Sequence, residues 1–337
     1  LAEHFQHLMQ YPYGCLEQTS SRLWPLLVSS QAEMVRYIGD KASATQQKLL
    51  TDRASAINAA IGRISGMERG DGSFGLWNNQ SNEEHWLSAY ATDALLTAKA
   101  QGYAVDDALL NRALSNLKSY VTTQGKRWSE SQRYSQWPDH YHLAYRAYSA
   151  LVLAERQQVN LGDLRTLYDG YASQAKSPLP LAQLALALEL AGDARRAKEA
   201  WAKALADTDW PEGYAGDYGT PVRDLAWVST LALRSRLVEN PMAQLFALRD
   251  HLVDYRWLST QDRWALFHLG HSLKQSALAS WPLQLTTDNA TQSESLTQAF
   301  NKLWQGSDVP SSLVIDNPAD KPLFVSYTHL RAHETTS

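Results

Sequence analysis

A thiol and a carboxamide stand three residues apart near the start of the chain: Cys15 and Gln18, in the stretch YPYGCLEQTS. Side chains at i and i+3 meet when the backbone turns as a helix does. If the sulfur attacks the Gln18 amide carbon and ammonia leaves, the product is an internal thioester. Sulfur donates poorly into a carbonyl, so this acyl group is far more electrophilic than an amide and is open to a lysine amine or a sugar hydroxyl. Gly14 removes a side chain where such a turn needs close backbone approach. The following TSSRLWPLLVSSQAEMVRYI is helical in pattern, and Pro25 should end or kink this helix after about two turns. Cys15 then lies near a helix N-terminus, where the dipole favours the thiolate. A lone cysteine is more often a small buried hydrophobe, so spacing alone leaves both readings open.

The rest of the chain must position this pair. Its 337 residues suffice for one large domain or two ordinary ones, with a core that needs no disulfide or metal staple. The net charge is −4 and the basic residues form no stripe, which argues against nucleic acid as a partner. The longest apolar run, LPLAQLALALELAG, is interrupted by Gln and Glu and is too short to span a membrane. The opening LAEHFQHLMQ has neither an initiator Met nor a signal-peptide pattern, so the chain reads as a piece of a longer polypeptide. With twelve Trp and sixteen Tyr, aromatic packing should dominate the core or line a groove.

Apolar residues recur at spacings of three and four through HWLSAYATDALLTAKAQG, YHLAYRAYSALVLAERQ and LAQLALALELAGDARRAKEAWAKALAD. A loose repeat runs through the chain: a Gly/aromatic turn, a short polar gap, then an aromatic helix. DGSFGLWNNQSNEEHWLSAYATDALLTA is the clearest copy, DWPEGYAGDYGTPVRDLAWVSTLALRSRL a second and RWSESQRYSQWPDHYHLAYRAYSALVLAE a weaker third. Repeated helical hairpins make an open solenoid or a closed ring. Irregular repeat length, with Trp and Phe in the turns, favours the ring. The predicted class is therefore all-α, an α/α toroid. From about Trp281 the pattern changes to β: PLQLTTD and SSLVIDNPADKPLFVSYT alternate and are β-branched, with a turn at DNPADKP. The final THLRAHETTS has no apolar period and reads as a disordered or expression-derived tail.

PYGCLEQTSSR resembles the thioester region of the alpha-2-macroglobulin and complement superfamily, whose motif is Gly-Cys-x-Glu-Gln. Gly14, Cys15, Glu17 and Gln18 fill it without a gap, and YPYGCLEQ is similar to the bacterial alpha-2-macroglobulins in particular. The likeness extends through GMERGDGSFGLWNNQSNEEHWLSAYATDALLTAKAQGY. It implies a thioester-containing α/α toroid over residues 1–282, a β segment of a CUB-like domain over 283–327 and a tail over 328–337. It further implies a covalent protease inhibitor rather than an enzyme. Gln18 supplies the acyl carbon and Cys15 the leaving thiolate, with Gly14 and Glu17 in support, and amines of an attacking protease are acylated after a bait region elsewhere in the full-length chain is cut. No cofactor or metal is implied.

A thioester must be kept from water, and Tyr11 and Tyr13 are placed in sequence to shield it. Glu17 holds the turn or places a proton; the plainer alternative is a solvated helix-start carboxylate. Some complement proteins use a histidine to form an acyl-imidazole. The corresponding segment here, RWSESQRYSQW, has none, and His85, His140 and His142 read as satisfied helix histidines, so direct attack by amines is expected. Bacterial relatives imply a periplasmic protein of bacterial defence, a lipoprotein anchored at the inner membrane beside a peptidoglycan synthase (a penicillin-binding protein), in contact with other domains of its own chain.

Other readings compete. A toroidal glycosidase needs two carboxylates across a cleft, and Glu83, Glu84, Asp139 and Asp217 are candidates, although charges on repeat turns are usually solvated. A zinc prenyltransferase needs a Cys/His/Asp ligand set, and the single Cys is already committed. A cysteine hydrolase needs Cys15 paired with a distant His. LALALELAGDARRAKEAWAKALAD looks like one tetratricopeptide-type hairpin of a binding module, but its period does not persist.

Overall fold

The structure is a computed structural model that describes residues 1–10, 14–39, 43–122, 135–206, 209–211, 213–241, 244–254, 257–276, 281–288, 290–296, 302, 304 and 306–318. The chain divides into two compact units, Leu1–Leu273 and Lys274–Ser337. The first is helical: α1 (Ala2–Leu8), α2 (Leu16–Val28), α3 (Gln31–Ile38), α4 (Ala44–Thr51), α5 (Arg53–Ser65), α6 (His85–Ala100), α7 (Asp107–Val121), α8 (Pro138–Ala154), α9 (Leu161–Tyr171), α10 (Leu179–Leu190), α11 (Ala194–Ala204), α12 (Pro221–Arg234), α13 (Gln244–Asp254) and α14 (Thr260–Ser276).

Helices α2, α6, α8, α10 and α12 pack against one another in succession, and α5, α7, α9, α11 and α13 back them from outside. The division follows composition. Inner helix α10 is buried all round from Leu179 to Leu188, as a helix that is apolar on every face must be. Its outer partner α11 buries only Ala197, Ala200, Trp201 and Ala204, one stripe at helical spacing. The inner helices meet through aromatics. Trp86 and Tyr90 of α6 stack at 5.3 Å, Tyr148 of α8 meets Trp227 of α12 at 5.1 Å, and Trp264 of α14 meets Trp227 at 4.6 Å and Tyr90 at 5.3 Å. Trp24 of α2 lies 6.0 Å from Trp264, so α14 closes the ring onto α2. The unit is the expected α/α toroid, plugged by its own aromatics.

The helical segment after Gln18 is two helices, and the break falls after Pro25. Ser29 is extended and ends α2, and Ser30 starts α3 with a capping box: its hydroxyl accepts from the Glu33 amide at 3.3 Å while its own amide donates to Glu33 Oε2 at 2.7 Å. Pro25 does not end α2, which continues to Val28. Arg53 of α5 donates to the carbonyls of Leu26 at 2.8 Å and Leu27 at 3.1 Å, satisfying groups at the helix end that would otherwise lack partners.

In the second unit, β1 (Trp281–Thr287), β2 (Ala290–Leu296) and β3 (Leu313–Asp316) form an antiparallel sheet in the order β2-β1-β3, with Leu285 opposite Gln292 on one side and Ile315 on the other. Leu283 and Leu285 are buried and alternate with exposed neighbours. The return strand expected after DNPADKP lies outside the described residues.

Close backbone approach at the DGSFG turn makes a test of the fold. Gly72 has φ +82, and a Cβ there would stand 2.2 Å from the Arg112 carbonyl oxygen; Gly102 has φ +88 with open space around it. Gly102→Ala should cost about 1 kcal/mol from backbone conformation alone, and Gly72→Ala about 3 kcal/mol or more because α7 must also move. Urea unfolding of the two variants checks this; equal losses would show that the turn does not press on α7.

Candidate functional site

Cys15 is the N-cap residue of α2, with φ −64 and ψ 177, and its carbonyl accepts the first helical bond from Thr19 N at 2.9 Å. The Thr19 hydroxyl also donates to that carbonyl at 2.9 Å, with the Gly14 carbonyl at 3.2 Å. The Leu16 amide donates outward, to Leu76 O at 2.8 Å, which ties the turn to the loop before α6. A Cβ on Gly14 would stand 2.6 Å from Gln18 Cβ and 3.0 Å from Gln18 Oε1. The Gln18 side chain therefore folds back over Gly14, and any larger residue there would displace it. The thiol and carboxamide singled out by spacing thus share one helical turn.

The thiol's ionisation runs against the dipole argument. Burial pushes the half-buried Cys15 thiol up, and the nearby Glu17 carboxylate adds to this; the Gln18 and Glu17 backbone amides pull the other way without prevailing. A local helix-end argument could not see the burial.

Glu17 is not a solvated helix-start carboxylate: it is 5% exposed. Its Oε1 accepts from Ser21 Oγ at 2.8 Å and from Gln261 Nε2 of α14 at 2.7 Å. The Ser21 hydroxyl is 2.8 Å from Tyr90 OH, and Gln261 Nε2 also donates to Ser21 Oγ at 3.2 Å. Burial raises the Glu17 carboxyl above its usual range, while the Gln261 and Ser21 bonds hold it back. Sequence reasoning missed Gln261, 244 residues away, and nothing local marks it.

A second buried polar group sits at the start of α12. Asp217 lies 3.3 Å from Arg223 Nη2 and 3.6 Å from His140 Nε2, and Arg223 Nε bonds Asp224 Oδ1 at 2.5 Å. Burial alone would push Asp217 up, but Arg223 and His140 hold it well below the carboxylate range. Thr220 caps α12, accepting from the Arg223 amide at 3.0 Å, and its hydroxyl donates to Asp262 of α14. The expectation that charges on repeat turns are solvated fails at Asp217, because the turn is folded into the ring rather than over its rim.

The other predicted residues scatter. His140 accepts from the Lys176 amide at 2.9 Å through Nδ1, so a neutral ring carries its proton on Nε2, toward Asp217. His85 packs between Tyr120 and Tyr145 at 5.4 and 4.9 Å, and His142 against Tyr145 and Tyr171 at 5.5 and 5.7 Å. Glu83 accepts from Tyr120 OH at 2.5 Å and Asp139 is exposed in the first turn of α8. Tyr11, Tyr13 and most of RWSESQRYSQW lie outside the described residues. Glu84 stands at the N-cap of α6 without a side-chain capping bond, and burial raises its carboxyl to about 7.

The family model for the A-macroglobulin TED domain matches residues 1–209. The chain belongs to the alpha-2-macroglobulin family. It is 33% identical over 336 residues to the alpha-2-macroglobulin of Escherichia coli K12, covering 96% of this chain and 19% of that protein. With the alpha-2-macroglobulin of Xylella fastidiosa Temecula1 it shares 34% identity over 286 residues, 81% of this chain and 16% of that one. The structure of Salmonella alpha-2-macroglobulin reacted with methylamine superposes with a TM-score of 0.74 at 38% identity, over 87% of this chain and 18% of that one. Native E. coli alpha-2-macroglobulin from domain MG7 to the C-terminus also gives 0.74, at 33% identity over 88% and 45%. The chain thus spans less than a fifth of the curated alpha-2-macroglobulins it matches.

Glu84 gives this alpha-2-macroglobulin domain a pH signature. Its carboxyl is raised, so between the ordinary carboxylate range and about 7 the folded chain holds a proton that the unfolded chain has lost. Its contribution to stability therefore falls as pH rises through that window. Glu84→Gln mimics the protonated form. It should match wild type at pH 4 and exceed it at pH 8 by about 1–2 kcal/mol, less than the full shift because the carboxyl is partly exposed. Urea midpoints at the two pH values check the sign; a variant weaker at pH 8 would mean the carboxylate is stabilised by partners.

Proposed function

We propose that Cys15 and Gln18 form an internal thioester, and that this chain is the reactive domain of a protease-trapping inhibitor. The observation that carries the reading is the fold of Gln18 back over Gly14, on the turn that Cys15 opens. In forming the bond, Cys15 Sγ attacks Gln18 Cδ, the C–N bond breaks and ammonia leaves. In discharge, an amine nitrogen attacks Cδ and the C–S bond breaks. The sulfur leaves with the bonding pair and takes up the proton the amine gives up. A thiol held above its usual pKa by burial departs slowly while the site stays closed, which suits a group meant to survive until triggered.

Relatives support two parts of the reading, reaction with an amine and activation by proteases. One Salmonella structure is of protein reacted with methylamine, a small amine, and E. coli structures are of protein activated by trypsin and by porcine elastase. We infer that here too proteases are the partners and that each molecule acylates once. Gly14 provides the room and Glu17 fixes the turn, with Tyr11 and Tyr13 as shields. Residues 1–282 are then the thioester domain, 283–327 part of a CUB-like β-domain and 328–337 a tail. A periplasmic lipoprotein at the inner membrane, beside a peptidoglycan synthase, completes the proposal on the resemblance alone. The glycosidase reading is not favoured, since Asp217 is sealed against Arg223 and Glu83 is bonded to Tyr120.

Untreated full-length protein should be lighter than its sequence by one ammonia and show no titratable thiol. Methylamine should add once, at Gln18, and release one thiol, at Cys15. Gly14→Ala should keep the helical far-UV spectrum and unfold cooperatively, yet carry a free thiol and the full sequence mass. Intact mass and thiol titration decide it. A fully titratable thiol in the untreated wild type would sink the proposal.

A further inference from the structure

Four consecutive residues at the start of α14 each reach another part of the helical unit. Gln261 Nε2 donates to Glu17 Oε1 of α2 at 2.7 Å and to Ser21 Oγ at 3.2 Å. Asp262 accepts from the hydroxyl of Thr220, the N-cap of α12. Arg263 Nη1 donates to Glu3 of α1 at 3.1 Å. Trp264 enters the aromatic plug against Trp24, Tyr90 and Trp227. The helix start is itself stiff: the Ser259 amide donates to Asp262 Oδ2 at 2.8 Å, and the Asp262 amide to Ser259 Oγ at 3.1 Å. Gln261 is therefore held out to α2 by a segment already anchored to α12 and α1.

The chemistry at this point calls for an amide. The Ser21 proton is used on Glu17 Oε1, so Ser21 Oγ is left as an acceptor, and an ionised Glu17 can only accept. Gln261 meets both acceptors with the two protons of one nitrogen; a hydroxyl has one proton and a carboxylate none. The Gln261 Oε1 atom is buried and finds no partner among the described residues, so the nitrogen, not the oxygen, sets the orientation of this side chain.

Glu17 and Ser21 stand four apart and share one face of α2. A single group gripping both fixes the roll of the helix about its axis. Gln18 lies about 100° further round and folds back over Gly14, on the turn that Cys15 opens. A roll that released Glu17 would carry the Gln18 carboxamide away from the thiol. The Thr19 hydroxyl bonds to the Gly14 and Cys15 carbonyls, and the Leu16 amide bonds to Leu76 O. These hold the backbone of the turn, whereas Gln261 holds the helix that carries the acyl group.

We propose that Gln261 is a positioning residue for the thioester, and that the bond between Cys15 and Gln18 forms only on an α2 that α14 has gripped. Gln261 lies outside the Gly-Cys-x-Glu-Gln motif, and the proposal rests on the thioester reading. It makes formation of the reactive bond conditional on closure of the ring of helices.

The test uses full-length protein. Intact mass and thiol titration give the fraction of chains that carry the thioester, and urea unfolding gives stability. Gln261→Met keeps the length of the side chain and removes both donors. More than about half of its chains should show a free thiol and the full sequence mass, because small misplacements of reacting groups cost large factors in rate. Gln261→Leu takes its place if the Met variant does not fold. Trp264→Phe trims a buried ring in the same segment and is the control for weakened docking of α14: it should lower the urea midpoint at least as far, yet carry the complete thioester. Gln261→Glu sets carboxylate against carboxylate and should lose the thioester. Adding Glu17→Gln to it reverses donor and acceptor across the same bond and should recover most of the loss, which a purely structural defect at position 261 would not allow. A complete thioester in Gln261→Met, an equal loss in Trp264→Phe, or a double variant no better than Gln261→Glu would each overturn the proposal and leave the thioester reading standing. A free thiol in the untreated wild type would overturn both.

Discussion

Glu17 carries a carboxylate into a place where burial makes charge costly, and the protein meets the cost with two donors to the carboxylate and a third polar group behind them, from α2, α14 and α6. Ser21 comes from one turn further along α2, Tyr90 from α6 and Gln261 from α14. A buried carboxylate left unpartnered is strongly destabilising, whereas a satisfied one fixes the arrangement of what satisfies it. The network therefore does two jobs. It sets the rotation of α2, and so the direction in which Cys15 and Gln18 face. It also joins the first inner helix to the last, so that the ring closes at the same point at which the reactive turn is held.

Apolar packing around that network has its own logic. Trp24, Trp86, Tyr90, Tyr148, Trp227 and Trp264 come from five different helices and meet edge-on or stacked within about 6 Å, the range in which aromatic pairs contribute beyond their buried area. Because every one of these rings except Trp24 touches rings on two or more other helices, a displacement of one of these helices is felt by the others. The second buried cluster, around Arg223, lies against the same group: its guanidinium is 5.2 Å from the Trp86 ring and 5.9 Å from Trp227. The polar networks and the aromatic plug are one packed core with two polar inclusions.

What could be read from the sequence was local. The turn at Gly14, Cys15 and Gln18 was legible because its chemistry sits within one helical turn. The helices α6, α8, α10 and α11 were legible from their periodicity, and the ring from the aromatic turns between them. Local reasoning failed wherever a distant segment decided the outcome. Pro25 does not end α2, which runs on to Val28, where Arg53 from a distant helix takes up the carbonyls of Leu26 and Leu27. The Cys15 thiol is raised because the folded ring buries it, against the helix dipole. Asp217 looked solvated on a polar turn and is sealed by Arg223. Gln261 carried no signal at all: it is an ordinary helix residue that meets Glu17.

The bond between Glu17 and Gln261 spans 244 residues of chain. On a ribosome adding about 5–20 residues per second, roughly 10–50 s separate the appearance of the two partners. Throughout that interval the carboxylate at the start of α2 has Ser21 beside it but not the amide that completes its shell. The surroundings of Cys15 are therefore completed only when α14 is made, long after the residues of α2 themselves. Synthesis order keeps the reactive turn unfinished until nearly the whole ring of helices exists to enclose it.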